Sequence, residues 1–413
     1  MKAKSIISLL TVLLLVLSCV GCAQQPAQAE QEAPPSEAPA TEAEATPLPI
    51  PAVTTWAEEN QINNGSQTVD ELYELAKQEG TVVLYSISSR CVQVKESFEA
   101  QYPGVICDAY DISTNELLEK ITREYESGVR NADVIHCKDQ DGALYIEKVA
   151  TGIFHNYYPD DIVKTISNQN YLTYAMPLYI ELNQWFYNYE TYPDGPPVDS
   201  WWDLTRPEWK GKLLISNPID NVSYMAIFTA FTAYHDELAA DYEREFGEPL
   251  TLSEGCPTAA HELMKRLVAN DLVFIASSDE ICESVGTAGS KADILGYAAS
   301  SKLRKNESDG WVLAPINMLP TTGIPAQNNL YIVNEAPHPN AAKLLVRWMT
   351  GEADGKGAGF EPFNTLGGWS VRDNVPLAEG STPLTDLHVW DFNPMYVYEN
   401  LPDVMDFWIS LQN

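Results

Sequence analysis

Hydroxyl-bearing residues and one arginine follow short apolar segments of the sequence, where they are placed to bind a small ligand. Ser88, Ser89 and Arg90 come directly after one such segment, and Ser113 and Thr114 follow another. Hydroxyl groups and the amides at a helix N-terminus bind anions, and a guanidinium group binds one through two parallel hydrogen bonds. Both groups therefore favour an anionic ligand, although Ser113 is also suited to cap a helix without touching any ligand.

Carboxylates near the same positions favour the opposite ligand charge. Asp139 follows a third apolar segment, and Asp111 lies just before Ser113. Many exposed carboxylates are only solvated, but in a binding site they favour a cation, an amine or a ligand with many hydroxyl groups. The sequence thus leaves the charge of the ligand open.

The segments that carry these residues alternate between strand and helix patterns. Nearly continuous β-branched and apolar residues predict a buried parallel strand at 81–87, and further strands are predicted at 105–112 and 132–137. Capping-box patterns predict helices that begin after Thr68 and after Ser113, and a further helix is predicted at 92–102. This alternation predicts a doubly wound α/β fold, in which ligands bind beyond the carboxyl ends of the strands.

The N-terminus has the features of an export signal. Two lysines precede an apolar run that is too short to span a bilayer, and the run ends beside Cys19 and Cys22. Cys22 follows a glycine, as in the lipidation site of bacterial lipoproteins, so residues 1–22 are predicted to be a lipoprotein signal peptide with Cys22 lipidated. Plain secretion with cleavage near Ala23 is the alternative. Residues 23–59 are rich in Ala, Pro and Glu and are predicted to form a disordered tether.

Composition excludes several classes of function. The 413-residue chain carries 58 acidic and 25 basic side chains, a formal net charge of −33, yet 45% of its residues are hydrophobic. This hydrophobic content excludes wholesale disorder, and the negative field repels nucleic acids and anionic lipid surfaces. We therefore expect folded domains that bind no nucleic acid and reach the membrane only through a lipid anchor.

The five cysteines of the predicted folded region match no zinc-binding spacing. Bridges between Cys107 and Cys137 and between Cys256 and Cys282 are possible in an exported protein, with buried free thiols as the alternative. The sequence also lacks the motifs of nucleophilic hydrolases, phosphate-binding loops and metalloproteases. We therefore expect a protein that is not an enzyme, with no catalytic residue, no cofactor and no bound metal.

Ordered segments of the chain resemble one family of binding proteins. Along the chain these segments are YELAKQEGTVVLYSISSR from Tyr73, STNELLEKITREYESGVRNADVI from Ser113, SWWDL from Ser200, PEWKGK from Pro207 and APHPNAAKL from Ala336. Together they are similar to extracellular solute-binding proteins of ABC importers, in the group related to iron(III)-, thiamine- and polyamine-binding proteins. The resemblance covers roughly residues 66–375.

This resemblance implies a two-lobed periplasmic-binding-protein fold of type II. In that fold two doubly wound α/β lobes are joined by two crossing strands, for which segments 177–188 and 322–333 are the candidates. The implied lobe 1 consists of residues 60–178 and 325–360, and lobe 2 of residues 179–324 and 361–413. The aromatic tail from about Thr382 is predicted to pack on lobe 2, with a partner-docking surface as the alternative.

The family binds its ligand in the cleft between the lobes, which adds candidates from the second lobe. These are Asn217, Asn221, Ser223, Tyr224, Ser278 and Asp279. Trp185, on the first crossing, is a candidate for stacking on an organic ligand.

Iron is a well-known ligand of this family, commonly held by two adjacent tyrosines of the second lobe. The adjacent pair in this sequence, Tyr157 and Tyr158, falls in an early loop, whereas the region implied for the pair has the single tyrosine Tyr297. We therefore expect a small polar organic solute, anionic or zwitterionic, rather than an iron complex.

The function implied by the resemblance is that of the substrate-binding component of an ABC transporter. Such a protein captures a solute in the cleft by hinge closure and delivers it to a membrane permease that is powered by an ATPase. We expect a monomer on the outer face of the cell membrane, held there by its lipid anchor. The alternatives are a surface sensor or adhesin lipoprotein with a solute-binding fold, and a direct iron(III) binder.

Overall fold

Two β-sheets organise the structure, a computed structural model that describes residues 48–412. The predicted signal peptide, the predicted lipidation site at Cys22 and the first part of the predicted tether lie outside the described residues. The strands are β1 (Thr81–Ser86), β2 (Ile106–Asp111), β3 (Val134–Lys138), β4 (Phe154–His155), β5 (Met176–Glu181), β6 (Asn183–Asn188), β7 (Leu213–Ile215), β8 (Val273–Phe274), β9 (Leu295–Ala299), β10 (Leu313–Pro315) and β11 (Ala326–Val333).

Helices connect and cover these strands. They are α1 (Thr55–Glu59), α2 (Val69–Glu79), α3 (Cys91–Gln101), α4 (Thr114–Glu126), α5 (Asp160–Val163), α6 (Val222–Ala233), α7 (His235–Phe246), α8 (Ala259–Ala269), α9 (Ser278–Gly286), α10 (Lys305–Ser308), α11 (Pro339–Met349) and α12 (Pro394–Leu411). The predicted strands and helices of the first 140 residues all form, with ends that differ by a few residues.

The first sheet has the strand order β2-β1-β3-β11-β4, and β5 also pairs with β11. Strand β1 is parallel to both β2 and β3, whereas β11 runs antiparallel to its neighbours. The second sheet has the order β10-β6-β9-β7-β8, in which β7 is parallel to β8 and to β9. We call the first sheet with its helices the first lobe, and the second sheet with its helices the second lobe.

The two predicted capping boxes have different outcomes. Thr68 accepts a hydrogen bond from the Glu71 amide and Glu71 accepts one from the Thr68 amide, so the capping box before α2 is confirmed. The capping box predicted at Ser113 is wrong, because the Ser113 hydroxyl donates to the carboxylate of Glu116 at 2.7 Å and caps no backbone amide.

Two crossing strand segments connect the lobes, and a third connection runs from Val375 in the first core to α12 on the second lobe. The first, predicted as one strand at 177–188, is divided at Leu182 into β5 of the first sheet and β6 of the second. The second runs from β10 to β11. The two segments touch at Gly323, where an added Cβ would lie 2.4 Å from the carbonyl oxygen of Asn183, so a side chain at this position would force the crossings apart.

The last residues of the predicted tether belong to the folded region. Residues 48–59 include helix α1, whose Ala57 is fully buried in the first core, and the hydroxyl of Thr54 donates to the side chain of Asn334 at 2.7 Å. The boundary at residue 59 is therefore too late. The prediction rests on the Ala, Pro and Glu content of residues 23–59 as a whole, which does not distinguish the short stretch at its end that packs on the first lobe.

Each lobe has its own hydrophobic core. Phe363 and Val375 belong to the core of the first lobe, although the sequence assigned residues 361–413 to the second. The tail from Thr382 contributes Val404 and Trp408 to the core of the second lobe through α12, so the predicted packing there is confirmed.

The five cysteines of the described residues are buried free thiols, which is the second of the two alternatives left open by the sequence. In the same part of the chain, the helices are too short or too polar to cross a membrane.

Candidate functional site

A cavity of about 340 Å³ lies between the two lobes, and we call it the cleft cavity. Its walls come from the turn after β1, the end of β3, strands β5 and β11, the start of α9 and the turn after β9. The lining residues are Ile87, Ser88, Ser89, Arg90, Asp111, Lys138, Tyr179, Glu181, Ser278, Asp279, Ala299, Ser301, Lys302, Arg304 and Asn328. Strand ends and helix starts of both lobes thus meet at one place, as expected for ligand sites in α/β sheets.

Arg90 is a cation of the first lobe that faces this cavity and makes several contacts. Its guanidinium donates to the Ser88 hydroxyl at 2.9 Å, to the Tyr179 hydroxyl at 2.6 Å and to the Pro362 carbonyl at 3.4 Å. It also lies over the rings of Tyr179 and Phe363, 5.0 and 4.8 Å from their centroids. Neutral partners hold this side chain in place, and no carboxylate of the described residues forms an ion pair with it.

Arg304 faces the same cavity from the second lobe. Its Nη1 donates to the Ser301 carbonyl at 2.6 Å, and it too has no ion pair within residues 48–412. Burial, together with the positive charge of Arg90, lowers the pKa of Arg304. The two guanidinium groups therefore lie close enough to repel each other, and an anion between them would remove that repulsion.

Two of the three acidic residues of the cavity are paired with lysines, and the third, Asp111, is exposed at its edge. Glu181 pairs with Lys138, and Asp279 pairs with Lys302. Burial by itself raises the pKa of Glu181, but the charges of Lys138 and Arg90 lower it to about 2, so the carboxylate is ionised. Because Glu181 and Asp279 already have lysine partners, Arg90 and Arg304 are the cations of the lining that remain for a ligand.

The side-chain amide of Asn328 lines the cavity and lacks a hydrogen-bond partner of normal geometry among the described residues. The residue is 1% exposed, and neither its oxygen nor its nitrogen makes a hydrogen bond of normal geometry with the described residues. His136 lies beside it, and its Nε2 also lacks a hydrogen bond of normal geometry. Burial, followed by the charges of Arg90 and Lys138, lowers the pKa of His136 to about 3, so the imidazole is neutral. A buried amide without a partner is costly, and a bound ligand is one way to satisfy it.

A second, more open cavity of about 820 Å³ adjoins the first, and we call it the outer cavity. The two share Ser89, Arg90 and Arg304. Pro362 and Thr365 line the outer cavity from the segment after α11. The arginine pair thus lies where the two spaces meet.

The structure brings together five of the residues predicted to bind ligand. They are Ser88, Ser89, Arg90, Ser278 and Asp279, and all line the cleft cavity. Ser113 and Thr114 do not line it, although the neighbouring Asp111 does.

The other predicted residues lie elsewhere. Trp185 is fully buried and packs against the rings of Trp201 and Tyr297, so it belongs to the second core instead of stacking on a ligand. Tyr224 is also buried, and its hydroxyl donates to the Tyr297 carbonyl at 3.0 Å. Asp139 faces a different cavity on the other side of the strands.

Asn217, Asn221 and Ser223 are used by local structure. The Asn221 side chain caps α6 by accepting from the Ser223 amide at 3.1 Å, and Asn217 donates to Asp220 at 2.9 Å. None of the three lines the cleft cavity.

Several residues of the cavity were missed by sequence reasoning. They are Lys138, Tyr179, Glu181, Ser301, Lys302, Arg304 and Asn328. Tyr179 and Glu181 are two positions apart on β5, so they share one face, and this spacing was a readable signal within the predicted crossing. Arg304 lies on a turn after β9, and no local sequence pattern indicates that it faces the cavity.

The tyrosines do not assemble an iron site in this cavity. Tyr158 donates from its hydroxyl to the Leu172 carbonyl at 3.0 Å, and Tyr157 lies in the core of the first lobe. Tyr297 is fully buried in the second core, and burial raises its pKa well above the usual range. The one tyrosine of the lining, Tyr179, already accepts a hydrogen bond from Arg90.

Within residues 48–412, one group of acids has metal-like spacing, namely Asp199, Asp203 and Glu245. Arg206 pairs with both Asp203 and Glu245, and Arg244 reaches Asp199 at 3.4 Å. These arginines satisfy the cluster, and it lies outside both cavities.

Solved structures with the same architecture are periplasmic binding proteins. Iron-bound HitA from Pseudomonas aeruginosa superposes with a TM-score of 0.58 at 14% identity, covering 81% of this chain and 99% of that one. The apo ferric ion-binding protein A of Pasteurella haemolytica gives 0.60 at 14% identity, covering 81% and 98%. AfuA from Actinobacillus pleuropneumoniae, with fructose-6-phosphate bound, gives 0.57 at 17% identity, covering 80% and 98%.

These comparisons show the fold. The chain has the mixed α/β, two-lobed fold of the periplasmic binding proteins, as the sequence predicted. These structural neighbours are substrate-binding proteins rather than enzymes. No family model matches the sequence, and no curated protein matches it.

Proposed function

We propose that this protein is the substrate-binding component of an ABC importer and that its solute is a small organic anion. The observation that carries the proposal is the pair Arg90 and Arg304, one from each lobe, which face one cavity without carboxylate partners in the described part of the chain. An anion bound between them would contact both lobes at once. Binding would then favour the closed arrangement of the lobes.

The neighbours support an organic ligand as well as a metal. AfuA was solved with fructose-6-phosphate, another neighbour, MotA, with glucopine, and HitA with iron. Iron is the poorest match for this chain, because the cleft cavity holds one tyrosine and two of its carboxylates, those of Glu181 and Asp279, are paired with lysines. A phosphate or carboxylate group suits two guanidinium groups, since each binds such a group with two parallel hydrogen bonds.

Capture in this proposal requires that the bound ligand shift the protein from its open to its closed form. The ligand must bind the closed form more tightly than the open one, by about 5.5 kcal/mol to move the population from 1:99 to 99:1. Relief of the repulsion between Arg90 and Arg304 and the new hydrogen bonds to Asn328 supply part of this difference. The closed form then delivers the solute to a membrane permease that is driven by an ATPase.

We also propose that the protein acts as a monomer on the outer face of the cell membrane. The support is the sequence of the N-terminal region, where Cys22 is placed for lipidation after an export signal and before an Ala/Pro/Glu-rich tether.

A thermal-shift screen tests the function with pairs of related compounds that differ in charge. The pairs are fructose 6-phosphate with fructose, citrate with glycerol, and 2-aminoethylphosphonate with ethanolamine; ferric citrate and thiamine are added singly. We expect at least one anion to raise the melting temperature while its uncharged or cationic counterpart does not. Stabilisation by ferric ion together with a visible charge-transfer band, or by neutral compounds alone, would refute the anion proposal.

A further inference from the structure

A separate cavity of about 380 Å³ lies behind the strands that form the back of the cleft, and we call it the rear cavity. Its lining residues are Asp139, Asn168, Asn170, Tyr171, Thr173, Tyr174, Ile180, Pro325, Gln327, Asn329, Asp391, Phe392, Asn393 and Pro394. None of these residues lines the cleft cavity. The rear cavity is therefore a distinct space and does not depend on the function proposed above.

Strand alternation explains how two cavities share one wall. On β5, Tyr179 and Glu181 face the cleft cavity while Ile180 faces the rear one. On β11, Asn328 faces the cleft cavity, and its neighbours Gln327 and Asn329 face the rear one. Successive side chains of a strand point to opposite faces, so each crossing strand contributes to both spaces.

The remaining walls come from the first lobe and the C-terminal segment. Residues 168–174 lie on one side, and residues 391–394 lead into α12 on the other. The C-terminal wall is anchored, because the hydroxyl of Tyr234 donates to the Asp391 carbonyl at 2.6 Å and the rings of Tyr234 and Trp390 stack 4.4 Å apart. The backbone of Asp391 is thus held from outside the cavity.

The rear cavity is lined by acids and by no basic residue. Asp139 and Asp391 are its charged residues, and its lining includes no lysine, arginine or histidine. Asp139 is 8% exposed, and its carboxylate accepts from the amides of Leu144 at 3.2 Å and Tyr145 at 2.8 Å. Neither Asp139 nor Asp391 forms an ion pair with any described residue. Burial, followed by the charge of Asp141, raises the pKa of Asp139 to about 7, and a cation bound beside it would favour the ionised form.

Aromatic rings accompany the two carboxylates. The charge of Asp139 adds to burial and to Tyr145 in raising the pKa of Tyr174, so the ring lies near that carboxylate. Asp391 likewise contributes to the raised pKa of Tyr171. Phe392 adds a third ring, and all three are partly exposed. Carboxylates beside aromatic faces suit an ammonium group, which binds both the charge and the ring.

We propose that the rear cavity binds a small organic cation, an amine or a quaternary ammonium compound. The two carboxylates would neutralise its charge, the rings of Tyr171, Tyr174 and Phe392 would cover its methylene or methyl groups, and the amide side chains would bind any hydroxyl groups. A metal ion fits less well, because the two carboxylates are not part of a three-residue ligand cluster among residues 48–412. An anion is excluded by the lack of any positive group in the lining.

Isothermal titration calorimetry on the whole chain tests this site. The probes are putrescine and choline, with 1,4-butanediol as the uncharged counterpart of putrescine. We expect at least one of the two cations to bind at one site per chain, and 1,4-butanediol to give no binding heat.

Two substitutions locate the binding. Asp391→Lys reverses an exposed charge and keeps the backbone carbonyl that accepts a hydrogen bond from Tyr234. We expect this variant to weaken cation binding roughly five- to tenfold. Asp139→Asn removes the buried charge, and we expect a loss of roughly tenfold or more. Asp403→Asn, an exposed acid on α12 outside the cavity, is the matched control and should leave the affinity unchanged.

Three results would overturn the proposal. The first is the absence of binding heat for both cations at millimolar concentration. The second is binding of 1,4-butanediol as tight as that of putrescine, which would make the charge irrelevant. The third is cation binding that survives Asp391→Lys and Asp139→Asn but is lost in Asp279→Asn, which would place the cation in the cleft cavity. Circular dichroism of each variant shows whether it is folded, and Asp391→Lys keeps the test valid if Asp139→Asn does not fold.

Discussion

The cleft cavity and the rear cavity lie on opposite faces of the same strands and have opposite electrostatics. The front face places Glu181 and Asn328 beside arginines and lysines, whereas the back face places Gln327 and Asn329 beside unpaired aspartates. The contrast follows from a two-residue period, so a shift of one residue in the register of β5 or β11 would exchange the two sets. Strand alternation thus separates basic and acidic surroundings onto the two faces of the same strands. The net charge of −33 does not reveal this difference.

The largest effect should come from the arginines of the cleft cavity. We expect Arg90→Ala and Arg304→Ala each to weaken binding of the best anion from the screen by about 2 to 5 kcal/mol, because each leaves part of the ligand's charge unpaired. Calorimetric titration measures the change. Arg123→Ala, which alters an exposed arginine on α4, is the control. Equal affinity in all three variants would remove the arginines from the site.

The acids of the two cavities should differ in their response to pH. Burial, followed by the charge of Asp141, raises the pKa of Asp139 to about 7, so its folded-state pKa lies above that of the unfolded chain. The stability that this group contributes is therefore present at low pH and is lost as the pH rises through about 7. The opposite holds for Glu181, whose lowered pKa of about 2 keeps its contribution until the pH falls towards that value.

Chemical denaturation at several pH values checks this difference. In the wild type we expect the free energy of unfolding to fall by a few kcal/mol as the pH rises from mildly acidic to mildly alkaline, since each unit of pKa shift corresponds to about 1.4 kcal/mol. Asp139→Asn should flatten this dependence, and Asp403→Asn should not. A profile of the same slope in Asp139→Asn and wild type would contradict the assignment.

A smaller effect is expected at Asn328. Its carboxamide has no hydrogen bond of normal geometry with the described residues, so Asn328→Ala should cost little stability while weakening anion binding by about 1 to 3 kcal/mol. The comparison of melting temperature with affinity separates the two effects. A large loss of stability with unchanged affinity would show that the side chain has a structural role instead.

The smallest effect is expected at Ser113, a residue that sequence reasoning placed in the site. Its hydroxyl is bonded to Glu116 and does not line the cleft cavity, so Ser113→Ala should change the anion affinity by less than about 0.5 kcal/mol. Calorimetry again gives the measurement, beside Ser88→Ala, which removes a partner of Arg90 and should weaken binding measurably.

Local sequence signals predicted the fold well, because periodicity and capping report on short stretches of chain. The capping box at Thr68 and the buried strand that follows it form as predicted. The turn Ser88–Arg90 was found for the same reason, since it follows that strand directly.

The rest of the site depends on contacts between residues that are distant in the sequence. Arg304 meets Arg90 only after the lobes assemble, and Asn328 reaches the cleft because of the register of β11. Trp185 was assigned to the ligand because aromatic residues suit both cores and binding sites, and its burial against Trp201 decides between the two. Asp139 was placed correctly at the end of a strand, but on the opposite face from Lys138.

The most direct test of the central claim is a double-mutant cycle on Arg90 and Arg304. Calorimetry would measure the affinity of the wild type, the two single variants and the double variant for the anion that raises the melting temperature most. If both guanidinium groups hold one anion, the losses are not additive, and the coupling amounts to about 0.5 to 3 kcal/mol. Fully additive losses, or no loss in either single variant, would contradict the claim that one ligand bridges the two lobes through these arginines.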